Sequence, residues 1–227
     1  MKVTPVTLKV VLLGESGVGK TSIISQFTSG IFDSNVVTSI TAQFISKTIE
    51  FKDLKKSIRF DIWDTAGQEK FRSLAKIFYK DAKIIILVYD ITCKKNFTEL
   101  KDYWYEKQTK LHADADPIFA VVANKNDLYG DQEVSDEDGR KFAESINGIF
   151  QSTSAKSDTG ISDLFKNLGY RYFNPNYDIN AIEKKQKQEY EKKKKAKEDD
   201  DEIIEEREKG VKLENVQKNN KKKNCCL

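Results

Sequence analysis

The chain has 227 residues, 33% of them charged, a net charge of +3 and three cysteines. That length suits one α/β domain of about 170 residues with an appendage. Near-balanced charge removes the basic field on which nucleic-acid binding depends, so no nucleic-acid partner is expected. Three cysteines build no disulfide framework, and a reducing compartment is the simpler setting.

In chain order, residues 8–13 form a short apolar, β-branched run expected to be a buried strand. Gly14-Glu15-Ser16-Gly17-Val18-Gly19-Lys20-Thr21 follows, then Ser22 and a helical pattern to Phe27. The octapeptide fills every fixed position of G-x-x-x-x-G-K-[ST] between a strand and a helix, the context in which that loop works. Free N–H groups and the positive dipole end of the helix then face a β-phosphate. Lys20 adds a positive charge, and the Thr21 hydroxyl can ligate Mg²⁺. The loop is read as the site of a nucleoside triphosphate.

Residues 29–39 read as a loop, and residues 41–51 and 56–63 as strands joined at Lys52-Asp53-Leu54-Lys55. Such a hairpin supplies one antiparallel edge to an otherwise parallel sheet. Asp64-Thr65-Ala66-Gly67-Gln68-Glu69 comes next. A carboxylate at a strand end can hold a Mg²⁺ shell, the Gly67 N–H can meet a γ-phosphate, and Gln68 can orient an attacking water. Further strands are expected at 84–89, 118–123 and 149–152, and helices at 70–78, 96–111, 135–146 and 161–172. The alternation predicts a mostly parallel sheet with helices on both faces. Met1–Thr7 has no secretory character and Ile84–Val88, the longest aliphatic run, is far too short to span a bilayer. The chain is expected in the cytosol unless something anchors it.

Asn124-Lys125-Asn126-Asp127 lies just past a strand, where doubly wound sheets bind ligands. The Asp127 carboxylate can accept from guanine N1–H and its 2-amino group, a donor pair adenine lacks. Asn124 can reach the base or tie loops together, and the Lys125 stem can cover the ring. Ser154-Ala155-Lys156, past the next strand, offers a backbone N–H towards guanine O6. From Pro175 the composition shifts to Lys, Glu, Asp and Asn, with Glu189–Lys193 and Glu191–Lys195 at helical pair spacing. The expected division is a domain over 1–174 and a charged, partly helical or disordered tail over 175–227.

Over roughly residues 5–173 the chain resembles the Ras superfamily of small GTPases, and within it the Rab family. The resemblance rests on Ile62-Trp63-Asp64-Thr65-Ala66-Gly67-Gln68-Glu69, Lys70-Phe71-Arg72-Ser73, Phe78-Tyr79-Lys80-Asp81-Ala82 and Leu87-Val88-Tyr89-Asp90-Ile91-Thr92. It implies a P-loop G domain with a six-stranded sheet and two switch loops that order around GTP and relax around GDP. By matching positions it implies that Phe32 covers the guanine opposite Lys125. Ser39 then supplies a hydroxyl to Mg²⁺ and an N–H to the γ-phosphate. The first switch departs from the Rab pattern: Ser39 lacks a methyl, and Thr41 stands where Rabs carry glycine. The implied reaction is GTP + H₂O → GDP + phosphate, with Gln68 orienting water and Lys20 and Mg²⁺ stabilising charge, slow until an activating protein assists.

The terminal Lys221-Lys222-Lys223-Asn224-Cys225-Cys226-Leu227 is no C-a-a-X box. It resembles the paired-cysteine ends of Rabs, which implies geranylgeranyl chains on Cys225 and Cys226 and a membrane anchor. Two chains hold stably where one is marginal, each buried CH₂ contributing about 0.8 kcal/mol. Val211-Lys212-Leu213 resembles the element by which Rab tails engage escort and extraction proteins. The resemblance implies an exchange factor, an activating protein, a dissociation inhibitor and effectors as partners. Ser39 to Phe44 and Ser73-Leu74-Ala75 lean towards the early-endosomal Rabs. An alternative reading is a GTP-holding scaffold without meaningful turnover; single-turnover hydrolysis separates the two.

Overall fold

The structure, a computed structural model, describes residues 4–33, 43–64, 80–110, 116–177 and 179. The chain divides into two units, Met1–Asp178 and Ile179–Leu227, and the sheet with its flanking helices belongs to the first.

Six strands form one sheet: β1 (Val6–Leu13), β2 (Gln43–Phe51), β3 (Lys56–Asp64), β4 (Ile84–Asp90), β5 (Ile118–Asn124) and β6 (Ile149–Ser152). Their order is β2-β3-β1-β4-β5-β6. Only the β2–β3 pair is antiparallel, closed by a turn in which the Leu54 N–H donates to the Phe51 carbonyl. The other pairs are parallel, with Val10 of β1 opposite both Ile62 and Ile84. Every residue of β4 is buried, as a strand covered on both faces requires.

Side-chain alternation along the strands divides the core into two layers. On one face, α1 (Lys20–Ser29) packs against β3, and α4 (Ile161–Phe173) against α1, β5 and β6. There the Phe27 and Phe165 rings stack 3.6 Å apart, and Phe60 meets both edge-on. On the other face, Val11, Leu13, Leu87, Tyr89 and Phe150 pack with Phe97, Leu100, Trp104 and Ala143. Those last four come from α2 (Lys94–Glu99), its continuation through Thr109, and α3 (Asp136–Ser145).

Element boundaries shift from the sequence expectation for definable reasons. α1 runs through Ser29, one residue into the expected loop, and closes where the Gly30 N–H donates to Gln26. Ser135 is the N-cap of α3, its hydroxyl accepting from the Asp138 N–H, rather than a helical residue. A single α-helix over 96–111 is not what forms. After Glu99 the backbone widens into a π-helical run, Leu100–Thr109, and the Lys110 N–H reaches five residues back to Tyr105. The buried positions Phe97, Leu100, Trp104 and Thr109 lengthen their spacing in step, so the wider turn keeps Thr109 on the sheet side. A 3₁₀ turn, Asn126–Asp131, has no counterpart in the sequence expectation, since its polar residues carry no apolar period. The expected helix at 70–78 lies outside the described residues, as does the expected tail apart from 175–177 and 179. Among the described residues, no helix is long and apolar enough to cross a membrane.

Candidate functional site

The carboxyl ends of β1, β3, β4, β5 and β6 converge on the N-terminus of α1. The loop between β1 and α1 depends on two glycines. Gly14 has φ +148° and a Cβ there would lie 2.2 Å from the Val88 carbonyl oxygen. Gly19 has φ +97° and a Cβ there would lie 2.3 Å from Asn124 Nδ2. No side chain fits either position, so the loop is pressed against its neighbours at its two ends, while at Gly17 between them a Cβ would meet nothing.

The Lys20 ammonium turns back over this loop and donates to the carbonyls of Gly14 (2.9 Å) and Glu15 (2.8 Å). Burial pulls its pKa down to about 8, against the opposing pull of the Asp64 and Glu15 carboxylates. The next residue, Thr21, donates its hydroxyl to Asp64 Oδ2 at 2.6 Å, joining the start of α1 to the end of β3. Asp64 is 1% exposed, and its Oδ1 is buried without a hydrogen-bond partner among the described residues. Burial raises its pKa, while the Thr21 hydrogen bond and the Lys20 charge pull it back. An orphaned carboxylate oxygen beside a hydroxyl fits a hard divalent cation, which takes oxygen ligands. No cluster of three or more His, Cys, Asp or Glu that could hold a metal exists among the described residues.

The second half of the site is locked to the first through Asn124. Its Nδ2 donates to the Val18 carbonyl at 2.8 Å and its Oδ1 accepts from the Thr153 hydroxyl at 3.1 Å. One buried amide therefore ties the phosphate-type loop, the end of β5 and the segment after β6. The Asn126 N–H donates to the Thr153 carbonyl, and the Thr153 N–H to Ala123, pinning the last two segments together. Lys125, at φ +66°, sends its ammonium to Asp90 Oδ2 at 2.6 Å. Asp90 is fixed in turn by the Thr92 N–H and hydroxyl on its Oδ1. Asp127 accepts the Ser154 hydroxyl on Oδ1 at 2.6 Å, with the Lys156 ammonium 3.9 Å from Oδ2. The Ser157 N–H donates to Ser154 Oγ, shaping the turn.

Between these halves lies a cleft of about 260 Å³ lined by Gly17, Gly19, Ser22, Phe32, Lys125, Asp127, Ala155 and Lys156, among others. The structure thus gathers Gly14–Ser22, Phe32, Asp64, Asn124, Lys125, Asp127 and Ser154–Lys156 at one end of the sheet. Ser39, Gly67, Gln68, Cys225 and Cys226 lie outside the described residues. Sequence reasoning misses Thr153 and Asp90, which hold Asn124 and Lys125. Asp90 carries a signal, being a carboxylate at the end of an otherwise aliphatic strand; Thr153 carries none.

The Ras family model matches residues 9–173. The chain is 40% identical over 173 residues to Ras-related protein Rab-22A of Homo sapiens, covering 76% of this chain and 86% of that one. It is 42% identical over 162 residues to Ras-related protein Rab-31 of Homo sapiens, covering 71% and 80%. This chain belongs to the Ras family as a Rab-type small GTPase. As a GTPase it hydrolyses GTP to GDP and phosphate, and as a Rab it cycles between the two bound states to regulate vesicle trafficking. Ras-related protein RabC of Dictyostelium discoideum is similar too, 36% identical over 179 residues, 79% of this Rab and 87% of RabC. Guanine nucleotide with Mg²⁺, regulatory proteins and membrane association are general attributes of the family.

Proposed function

We propose that the Gly14–Thr21 loop with Ser22 cradles the nucleotide phosphates and that the cleft beside it takes guanine. The observation that carries this reading is the Asn124 amide, which fastens the phosphate loop to both base-side loops across the cleft. Lys20, held now by loop carbonyls, swings its charge to the β- and γ-phosphates. Asp127 keeps lone pairs for the guanine N1–H and 2-amino group, the Ala155 region offers N–H to O6, and Lys125 and Phe32 flank the ring. Thr21, Ser39 and Asp64 hold Mg²⁺, which when bound neutralises charge on the phosphate oxygens. Gly67 donates its N–H to the γ-phosphate, and Gln68 orients the attacking water.

The same reading divides the chain into a G domain over 1–174 and a tail over 175–227, with Cys225 and Cys226 prenylated. The anchored protein works on the cytoplasmic face of an intracellular membrane, endosomal by the resemblance of Ser39 to Phe44 and Ser73-Leu74-Ala75. An exchange factor, an activating protein, a dissociation inhibitor and GTP-selective effectors complete the cycle.

Single-turnover GTP hydrolysis with competition by ATP tests the site. Phosphate release well above a Gln68→Leu control, with fluorescent GDP retained against excess ATP, is expected; equal release in both, or displacement by ATP, overturns it. For the anchor, an N-terminally tagged chain in cells fed a fluid-phase tracer is expected on tracer-filled vesicles. It becomes diffuse on Cys225→Ser/Cys226→Ser. Membrane signal that excludes the tracer refutes the endosomal assignment, and signal unaffected by the substitutions refutes the lipid anchor.

A further inference from the structure

Glu15 is the one acidic residue of the phosphate loop, and its side chain turns away from the cleft towards the helical run after β4. There the Trp104 indole N–H donates to Glu15 Oε1 at 3.0 Å, across 89 positions of sequence. Trp104 is 3% exposed and packs in the core layer beneath α2, with Tyr103 edge-on at 5.3 Å. It sits in the middle of the π-helical run Leu100–Thr109, and such widened turns concentrate at functional sites. The indole is thus anchored to the sheet, while the carboxylate it holds belongs to the loop. The Glu15 carbonyl is also one of the two that accept the Lys20 ammonium.

We infer that Trp104 is a positioning residue for the phosphate loop: it holds the Glu15 side chain and, through it, the backbone from which the loop meets the phosphates. A hydrogen bond to a charged acceptor, made by a donor buried in a rigid core, restricts the loop before nucleotide arrives. Its loss frees the loop and shortens nucleotide residence, since changes within one interface act mainly on dissociation. This inference rests on the reading of Gly14–Thr21 as the phosphate site.

The test is the release rate of a fluorescent GDP from the full-length chain with Mg²⁺. Trp104→Phe and Glu15→Ala are each expected to speed release about tenfold, a factor equal to about 1.4 kcal/mol. The double variant should release no faster than either alone, the mark of one shared interaction. Glu15→Gln, which keeps an acceptor oxygen for the indole, should speed release by about threefold, between the parent and Glu15→Ala, because a neutral acceptor retains about half of the hydrogen bond. Unchanged release in Trp104→Phe and Glu15→Ala, or effects that multiply in the double variant, overturns the inference while leaving the phosphate site standing. Failure of the unmodified chain to hold the probe overturns the phosphate-site reading itself. Should Trp104→Phe not fold, a Trp63→Phe background leaves Trp104 as the sole tryptophan of the two in the chain. Its emission should then shift with Glu15→Ala and not with Glu15→Gln; identical spectra for the two variants overturn the role.

Discussion

Asn124→Ala removes the amide on which the two halves of the site depend. Asn124 is 1% and Thr153 0% exposed, so neither the Val18 carbonyl nor the Thr153 hydroxyl can turn to solvent when the amide is lost. Two ordinary hydrogen bonds account for about 2 kcal/mol, and leaving both partners buried without a partner raises the cost to about 2–4 kcal/mol. With a urea slope of about 2–3 kcal/mol/M, the unfolding midpoint at fixed GDP excess should fall by about 1 M. The slope should stay constant, because the surface exposed on unfolding does not change. GDP affinity should fall as well, since the loop and the base-side turns are no longer held in register. A variant with the parent midpoint and the parent GDP affinity would refute the argument that this amide joins the halves. A lower midpoint with unchanged affinity would confine its role to stability.

Gly19→Ala should weaken GDP binding by more than tenfold, because a Cβ at φ +97° lands 2.3 Å from Asn124 Nδ2 and displaces that same amide; equilibrium titration with fluorescent GDP checks it. Asp127→Asn should cost about 1.5–3 kcal/mol of GDP affinity through loss of a charged acceptor, read by the same titration, and at fixed GDP excess the urea midpoint should fall by a matching free energy because the nucleotide binds only the folded chain. Gly139→Ala acts on the other face of the sheet. Its methyl would meet the Tyr89 hydroxyl at 2.4 Å and Phe150 Cε2 at 2.5 Å, both in the core. Overpacking of that kind costs about 1–3 kcal/mol, readable as a thermal midpoint lower by about 2–4 °C per kcal/mol in a chain of this size. GDP release should remain at the parent rate, and an unchanged midpoint would count against the packing argument.

Much of this protein is legible in its sequence. The strands β1, β4 and β5 are apolar runs of sheet length, and their ends carry the motifs. The Gly14–Thr21 loop is legible because its form is set by its own backbone, so Gly14, Gly19, Lys20 and Thr21 declare it at fixed spacing. Asp127 is legible for a similar reason, as the carboxylate of Asn124-Lys125-Asn126-Asp127 just past a strand end, and it lines the cleft. The π-helical run is not legible, since a helix widened by one residue per turn differs from an α-helix only in which later side chain reaches the sheet. Thr109 shows this only once the sheet is present.

The contacts that make separate motifs into one site were decided by tertiary structure alone. Asn124 reaches Val18, Thr21 meets Asp64, Lys125 meets Asp90, and Trp104 meets Glu15, each pair brought together by strand order rather than by chain proximity. A sequence records which groups can donate and accept. Which of them meet depends on the β3-β1-β4-β5-β6 order, because parallel strands bring their carboxyl ends to one edge whatever the length of chain between them.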